Sequence, residues 1–227
     1  DRFENGDKSN DLEANPDDPK AFQGGDLAGV TKRLDYIKDQ GFTSIWLTPI
    51  FKNRPNGYHG YWTDDYYEID PHFGTKEEFK TLVKEAHKRD LKVVLDLVVN
   101  HLGPNHPLVK EKPDWFHKEQ TIMNWNNQAE VENNWLFDLP DFNTENKEVI
   151  KYLVDVANYW VDETGIDGYR LDTVRHVPPA FWETFIPAVK KEHPDLFLLG
   201  EVFDGDPRKI AIYSKLGFDS VTNFPFY

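Results

Sequence analysis

An α/β fold built on a parallel sheet is what the sequence predicts, and three observations carry that prediction. Short β-branched and aromatic runs alternate with segments whose apolar residues recur every three or four positions. Each short run is nearly continuous in apolar residues, the pattern of a strand covered on both faces. The residues in excess of one helix per strand fall after strands, at 50–73 and 100–141, where a (β/α)8 barrel keeps its site-forming loops.

The elements follow in order. Residues 1–26 are acidic, Asn-rich and punctuated by Gly and Pro, which reads as an ordered or metal-binding loop. Leu27, Val30, Leu34 and Ile37 then recur at helical spacing until Gly41, so one helix is expected there. Thr43–Thr48 reads as a buried strand stopped by Pro49, and 50–73 as a rim loop. Thr75 and Glu78 form a capping box ahead of Phe79, Leu82, Val83 and Ala86. Lys92–Val99 is the next strand. A helix over about 145–164 presents Val149, Ile150, Leu153, Val154, Ala157 and Trp160, and Gly165 separates it from a strand at Ile166–Asp172. Pro178 and Pro179 open a helix to about 193, Leu196–Glu201 is a strand, Asp206 and Pro207 cap a short helix, and Phe218–Asn223 is the last strand.

Composition narrows the function. With 40 acidic against 26 basic residues and a net charge of −14, the chain lacks the cationic surface that displaces counterions from nucleic acid. It has no cysteine, which excludes disulfides, thiolate metal sites and a catalytic thiol. No apolar run reaches the ~18–20 residues of a membrane-spanning helix.

Polar residues gather at the strand ends: Asn100 and His101, Arg170 and Asp172, and Glu201. Alternation puts Arg170 and Asp172 on one face. Two carboxylates from different strands suit glycoside hydrolysis, one protonating a leaving oxygen while the other attacks or activates water. Arg170 is expected to keep Asp172 ionised. A plain salt bridge at the rim is the competing reading, and spacing alone leaves the two even.

Five motifs separate them. DLVVNH (96–101), LPDFN (139–143), GYRLDTVRH (168–176), GEVF (200–203) and YHGYW (58–62) resemble, in order and context, signature regions of glycoside hydrolase family 13, the α-amylase family. The resemblance implies a partial (β/α)8 TIM barrel in which strands two to six are recognisable, with a small inserted subdomain after the third strand. The expected division is 1–99 as barrel with an N-terminal calcium loop, 100–141 as the inserted subdomain, and 142–227 as barrel strands four to six. It makes Asp172 the nucleophile, Glu201 the general acid/base and Arg170 the partner that orients the nucleophile. His59, Tyr61 and His101 would hold and stack on the sugar, and Arg175 and His176 would line the leaving-group side. Phe137 stands where transferases of the family carry a central aromatic.

The same resemblance implies one or two Ca2+ ions. One site maps onto Asn100, Asp141 and the carbonyl of His176, with a further carbonyl near Glu132. The other lies in the opening loop, similar to that of cyclodextrin glucanotransferases and some bacterial amylases, with Asn5, Asp7, Asn10, Asp11, the Gly24 carbonyl and Asp26 as ligands. Hard cations take such oxygen donors.

The expected activity is retaining hydrolysis of α-1,4 bonds in starch-type glucans. The alternatives are a cyclodextrin glucanotransferase or maltogenic amylase, an inactive glucan-binding or interaction module, and a barrel enzyme of unrelated chemistry. The family's third acid, in an HD pair after the seventh strand, has no counterpart here, nor do strands one, seven and eight. The 227 residues are therefore expected to need the remainder of their polypeptide, and to be inactive without it. The expected partner is an α-glucan, with no nucleic acid and no membrane span, and the size of such substrates together with calcium loops leads to the expectation of a secreted protein.

Overall fold

The computed structural model describes residues 1–226; Tyr227, the last residue of the expected 142–227 segment, lies outside the described residues. Five parallel strands form the main sheet in the order β1-β4-β5-β6-β7: β1 Ser44–Leu47, β4 Lys92–Leu97, β5 Gly168–Leu171, β6 Phe197–Gly200 and β7 Ser220–Val221. A separate antiparallel pair, β2 Phe51–Asn53 and β3 Thr63–Ile69, rises directly after β1. The helices are α1 Leu27–Lys32, α2 Leu34–Asp39, α3 Lys76–His87, α4 Leu108–Glu111, α5 Gln128–Asn133, α6 Lys147–Thr164, α7 Pro179–Glu192 and α8 Pro207–Tyr213.

Register follows from the parallel βα repeat. Leu95 pairs with Tyr169, Tyr169 with Leu198, and Asp96 with Arg170. Partners in register point to the same face. Leu95, Leu97, Tyr169, Leu171 and Leu198 lie against the helices and are buried. Trp46, Asp96, Arg170 and Leu199 fall on the opposite, concave face. Phe79, Leu82, Val83 and Ala86 of α3, Leu153, Val156 and Trp160 of α6, and Phe181, Phe185 and Val189 of α7 complete the core. The helix ends match their sequence signals. Thr75 and Glu78 cap reciprocally, Asn146 accepts from the Glu148 N–H, and Gly165 closes α6 at φ +72°.

Two expectations change. The helix expected from Leu27 to Gly41 is two short helices, because Arg33 (φ −103°, ψ 9°) leaves helical geometry while its guanidinium pairs with Glu4 at 2.8 Å. The rim loop expected at 50–73 contains the β2–β3 hairpin. Register shifts on either side of Lys52 spoil strict alternation, so Thr63, Tyr66 and Ile69 are buried at a spacing of three rather than two. No period-2 signal survives to be read.

The excess residues after β4 return to their starting point. Leu102 N–H donates to the Pro140 carbonyl (3.1 Å) and Phe142 N–H to that of Asn100 (2.8 Å). Between these staples lie α4, a 3-10 turn at Pro113–Trp115, and α5. Both long insertions thus leave from strand C-termini, the end of the sheet where the polar residues stand.

Candidate active site

Strands β4, β5 and β6 end side by side, and each contributes charge to one cluster around Arg170. Its Nη1 donates to Asp96 Oδ1 and Oδ2 at 2.9 and 3.0 Å and also to Asp172 Oδ1, while Nη2 meets Glu201 Oε1 at 2.5 Å. Arg170 is on β5 and Asp172 directly follows its end, and both reach the same cluster; in-register pairing across β4 and β5 supplies Asp96. Trp46 Nε1 (3.2 Å) and the Tyr61 hydroxyl (3.0 Å) both donate to Asp96 Oδ2. The guanidinium carbon stands 5.1 Å from the Trp46 ring centre and 5.8 Å from that of Tyr61, within cation–π range.

Three carboxylates around one guanidinium cannot all be ionised cheaply in a desolvated site. Burial pushes Asp96 up to about 7, against the pull of Arg170. Burial also raises Asp172, again opposed by Arg170. Glu201 is raised by burial and then by the charge of Asp172, while Arg170 and the Thr173 N–H on its Oε2 (3.1 Å) act the other way. Arg170 pulls Asp172 toward its ionised form, as expected, but against a burial that raises it, and the cluster as a whole retains a proton toward neutral pH. Arg170 itself is held firmly cationic by its acidic neighbours, despite its burial.

Around this core stand the aromatic and imidazole groups. Asn100 Nδ2 lies 3.2 Å from His101 Nδ1, and His101 Nε2 lies 3.3 Å from the Tyr61 carbonyl oxygen. That arrangement fits a neutral ring protonated on Nε2, and burial pulls His101 down to about 4. Tyr61 N–H donates to His59 Nδ1 (3.0 Å), and burial lowers His59 as well. Burial takes His176 to about 4; its ring meets that of Trp125 edge-on at 5.9 Å, and Trp125 lies 6.3 Å from Phe137. Two residues near the acids adopt left-handed backbone, Thr173 (φ +46°) and Phe137 (φ +59°). Neither is glycine, and such strain persists only where the surroundings fix it.

The structure thus brings Asp172, Glu201, Arg170, Tyr61, His59 and His101 to one end of the sheet; His176 meets Trp125, and Trp125 in turn meets Phe137. Arg175 turns toward the inserted segment instead: its Nη2 donates to the Trp125 carbonyl (2.8 Å) and its Nε to Gln128 Oε1 (3.1 Å). Sequence reasoning passed over Asp96 and Trp46. Asp96 did carry a signal, as a lone acid inside an apolar strand; Trp46 carried none, because a strand aromatic reads as core. A cavity of about 700 Å³ lies at the other end of the strands among Ser44, Lys92, Asp167, His193 and Phe197. It holds none of the acid cluster, so volume alone does not mark the chemistry.

The expected metal ligands separate into two groups. In the opening loop, Asn5 Oδ1 and Asn10 Oδ1 are buried without partners, and Asn5 Nδ2 reaches Asp11 Oδ1 at 2.6 Å. A Cβ at Gly24 (φ +83°) would stand 2.8 Å from Asn5 Nδ2 and 2.9 Å from Asp11 Oδ1, so Asn5, Asp11 and Gly24 converge. Asp7 instead caps the Lys8–Asn10 turn through the Ser9 N–H. Asp26 accepts from the N–H groups of Gly6, Asp7 and Gly29. At the other expected site, Asp141 Oδ1 is buried without a partner, Asp141 Oδ2 lies 2.6 Å from His117 Nδ1, and burial pushes Asp141 to about 7. Among the described residues no group of three or more His, Asp or Glu is arranged to hold a metal ion.

Known proteins share this fold. A crystal structure of an Anoxybacillus alpha-amylase superposes with a TM-score of 0.98 at 59% identity, covering 100% of this chain and 51% of that one. The alpha-amylase from Geobacillus thermoleovorans complexed with acarbose gives a TM-score of 0.91 at 59% identity, with 93% and 48% covered. An intracellular maltogenic amylase of Bacillus subtilis is 44% identical over 195 residues, 82% of this chain and 32% of its own length. The chain therefore spans about half of the two amylase chains and a third of the maltogenic amylase. The intracellular relative overturns the expectation of a secreted protein. Substrate class does not fix compartment, because short oligosaccharides are substrates that need no contact with bulk starch. Residues 1–227 match the alpha amylase catalytic domain throughout, and the chain belongs to that family, glycoside hydrolase family 13.

Proposed function

We propose that the protein containing this chain is a retaining hydrolase of α-1,4-linked glucans. The observation that carries the proposal is the sharing of one guanidinium by Asp172 and Glu201. The terminal nitrogens of a guanidinium join at one carbon, so the carboxyl groups that they hold lie only a few ångströms apart. Retaining enzymes keep their pair about 5–5.5 Å apart, whereas inverting enzymes leave about 6.5–9.5 Å for a water.

In this reading Glu201, kept protonated by burial and by the charge of Asp172, donates to the glycosidic oxygen as Asp172 attacks the anomeric carbon. Substrate replaces Arg170 at Glu201 Oε1, and the Thr173 N–H retains Oε2. Water then gives up a proton to Glu201 and displaces Asp172. Arg170, braced by Asp96, holds the nucleophile in place. Tyr61, His59 and His101 bind the sugar beside the scissile bond. The segment 100–141 acts as an inserted subdomain between barrel portions 1–99 and 142–227, and the third acid belongs to chain outside these residues. Calcium at Asn5, Asn10, Asp11 and Gly24, with Asp7 and Asp26 shaping the loop, and at Asn100 and Asp141 is part of the proposal. It is supported by the unpartnered buried oxygens there, and its contribution would be to stiffen both loops.

In the full-length protein, Asp172→Asn and Glu201→Gln should each lower kcat on maltooligosaccharides by at least ~10². On an aryl maltooligosaccharide whose leaving group departs without protonation, added azide should restore turnover to Glu201→Gln by attacking the glycosyl intermediate without needing a base. Unimpaired turnover in either variant contradicts the roles given.

A second reading, transfer to sugar acceptors as in cyclodextrin glucanotransferases or maltogenic amylases, is favoured by one feature. Phe137 is 66% exposed in a fixed left-handed conformation next to Trp125, a ready stacking surface. Cyclic or elongated products would establish transfer, and linear shortened ones hydrolysis.

A further inference from the structure

Arg175 is placed by the family resemblance on the leaving-group side, yet its guanidinium, only 14% exposed, is engaged by protein on all three nitrogens. Nη1 pairs with Asp204 at 3.2 Å, Nη2 donates to the Trp125 carbonyl at 2.8 Å, and Nε donates to Gln128 Oε1 at 3.1 Å. Gln128 Nε2 donates back to the Arg175 carbonyl at 2.8 Å. One planar fork thus joins the loop after β6, the turn after β5 and the segment leading into α5. A lysine, with one nitrogen on a flexible stem, cannot make these three contacts together.

What the fork holds is an exposed aromatic pair. Trp125 is 43% and Phe137 66% exposed, their rings 6.3 Å apart, with Trp125 edge-on to His176. The loop carrying Trp125 is fixed from its other side by Glu130, which accepts from the N–H groups of Met123 (2.7 Å) and Asn124 (2.6 Å). Large apolar rings kept at the surface at the cost of a left-handed backbone mark a binding surface more than a core. Through Trp125 they adjoin His176, which the family resemblance places on the leaving-group side.

We propose that Arg175 is a positioning residue and not a sugar ligand. It latches the segment around Trp125 to the turn after β5, and so presents Trp125 and Phe137 as a stacking platform for glucose rings beyond His176. The inference rests on the reading of the acid cluster as an α-glucan site. The platform would bind the longer arm of a glucan, so its loss weakens long substrates more than short ones.

The test uses the full-length protein and the variants Arg175→Lys, Gln128→Ala and Trp125→Ala, read by amide hydrogen exchange and by steady-state kinetics on maltotriose and maltoheptaose. Arg175→Lys and Gln128→Ala should each speed exchange across residues 121–139 while β4, β5 and β6 stay protected. In all three variants KM for maltoheptaose should rise several-fold more than KM for maltotriose, and the Arg175→Lys/Gln128→Ala double variant should be no worse than either single one. If Arg175→Lys raises KM while Gln128→Ala changes neither KM nor exchange, Arg175 touches the sugar directly and the latch is refuted. Exchange does not depend on turnover. A protein inert on glucans would therefore overturn the functional reading, whereas unchanged exchange in both latch variants would overturn the latch whatever the activity.

Discussion

Among the described residues, Arg170 is the only basic side chain in direct contact with Asp96, Asp172 and Glu201, and that imbalance governs how the site responds to pH. Asp96 is fully buried and raised to about 7, above its value near 4 in an unfolded chain. A carboxyl raised on folding binds protons more tightly in the native state. Its stabilising contribution is complete below about pH 4 and disappears as pH rises through about 7. Asp96→Asn should therefore flatten the decline in unfolding free energy between those values, measured by urea titration at several pH values. An unchanged slope would locate the retained proton elsewhere. At this scale the sequence was most informative where a charged residue interrupts an apolar strand: Asp172, Arg170 and Glu201 all stand at strand ends and all arrive in the cluster. Asp96 obeyed the same rule inside its strand, and its partner became visible only with the register of β4 against β5. The latch role of Arg175 depends on contacts across 47 and 50 positions of chain, which no local pattern encodes.

Helices and strands differ in how well they announce themselves. The capping box at Thr75 and Glu78, the cap at Asn146 and the left-handed Gly165 are local devices, and the helix boundaries followed from them to within about two residues. The β2–β3 hairpin is held instead by distant partners. Trp160 Nε1 of α6 donates to the Tyr66 carbonyl at 2.6 Å, and the Tyr66 hydroxyl donates to the Val98 carbonyl at 2.5 Å. The turn of that hairpin carries His59 and Tyr61, so α6 positions from behind the residues proposed to bind sugar. Trp160→Phe keeps most of the apolar volume but leaves the buried Tyr66 carbonyl without that donor, a loss of about 1–3 kcal/mol. Denaturant midpoints should fall accordingly, and KM for maltooligosaccharides should rise as the turn loosens. An unaltered midpoint would mean that the hairpin does not depend on the Trp160 donor.

Across the whole molecule, alternating strands and helices dictated a parallel sheet, and the right-handed crossover rule dictated neighbours in chain order; β1-β4-β5-β6-β7 follows once the hairpin is set aside. The exposed Trp46 and Phe197 lie on the face of that sheet that also carries Asp96 and Arg170. Compartment was not legible at any scale: neither a charge of −14 nor a glucan substrate distinguishes inside from outside. The central claim is that two carboxyl groups held by one arginine carry out a double displacement. The most direct measurement is proton NMR of the anomeric signals in the first minutes of maltooligosaccharide hydrolysis by the full-length protein, before mutarotation. Double displacement predicts that the newly formed reducing end appears first as the α-anomer; first appearance of the β-anomer would mean a single inverting step and would remove Asp172 as the nucleophile.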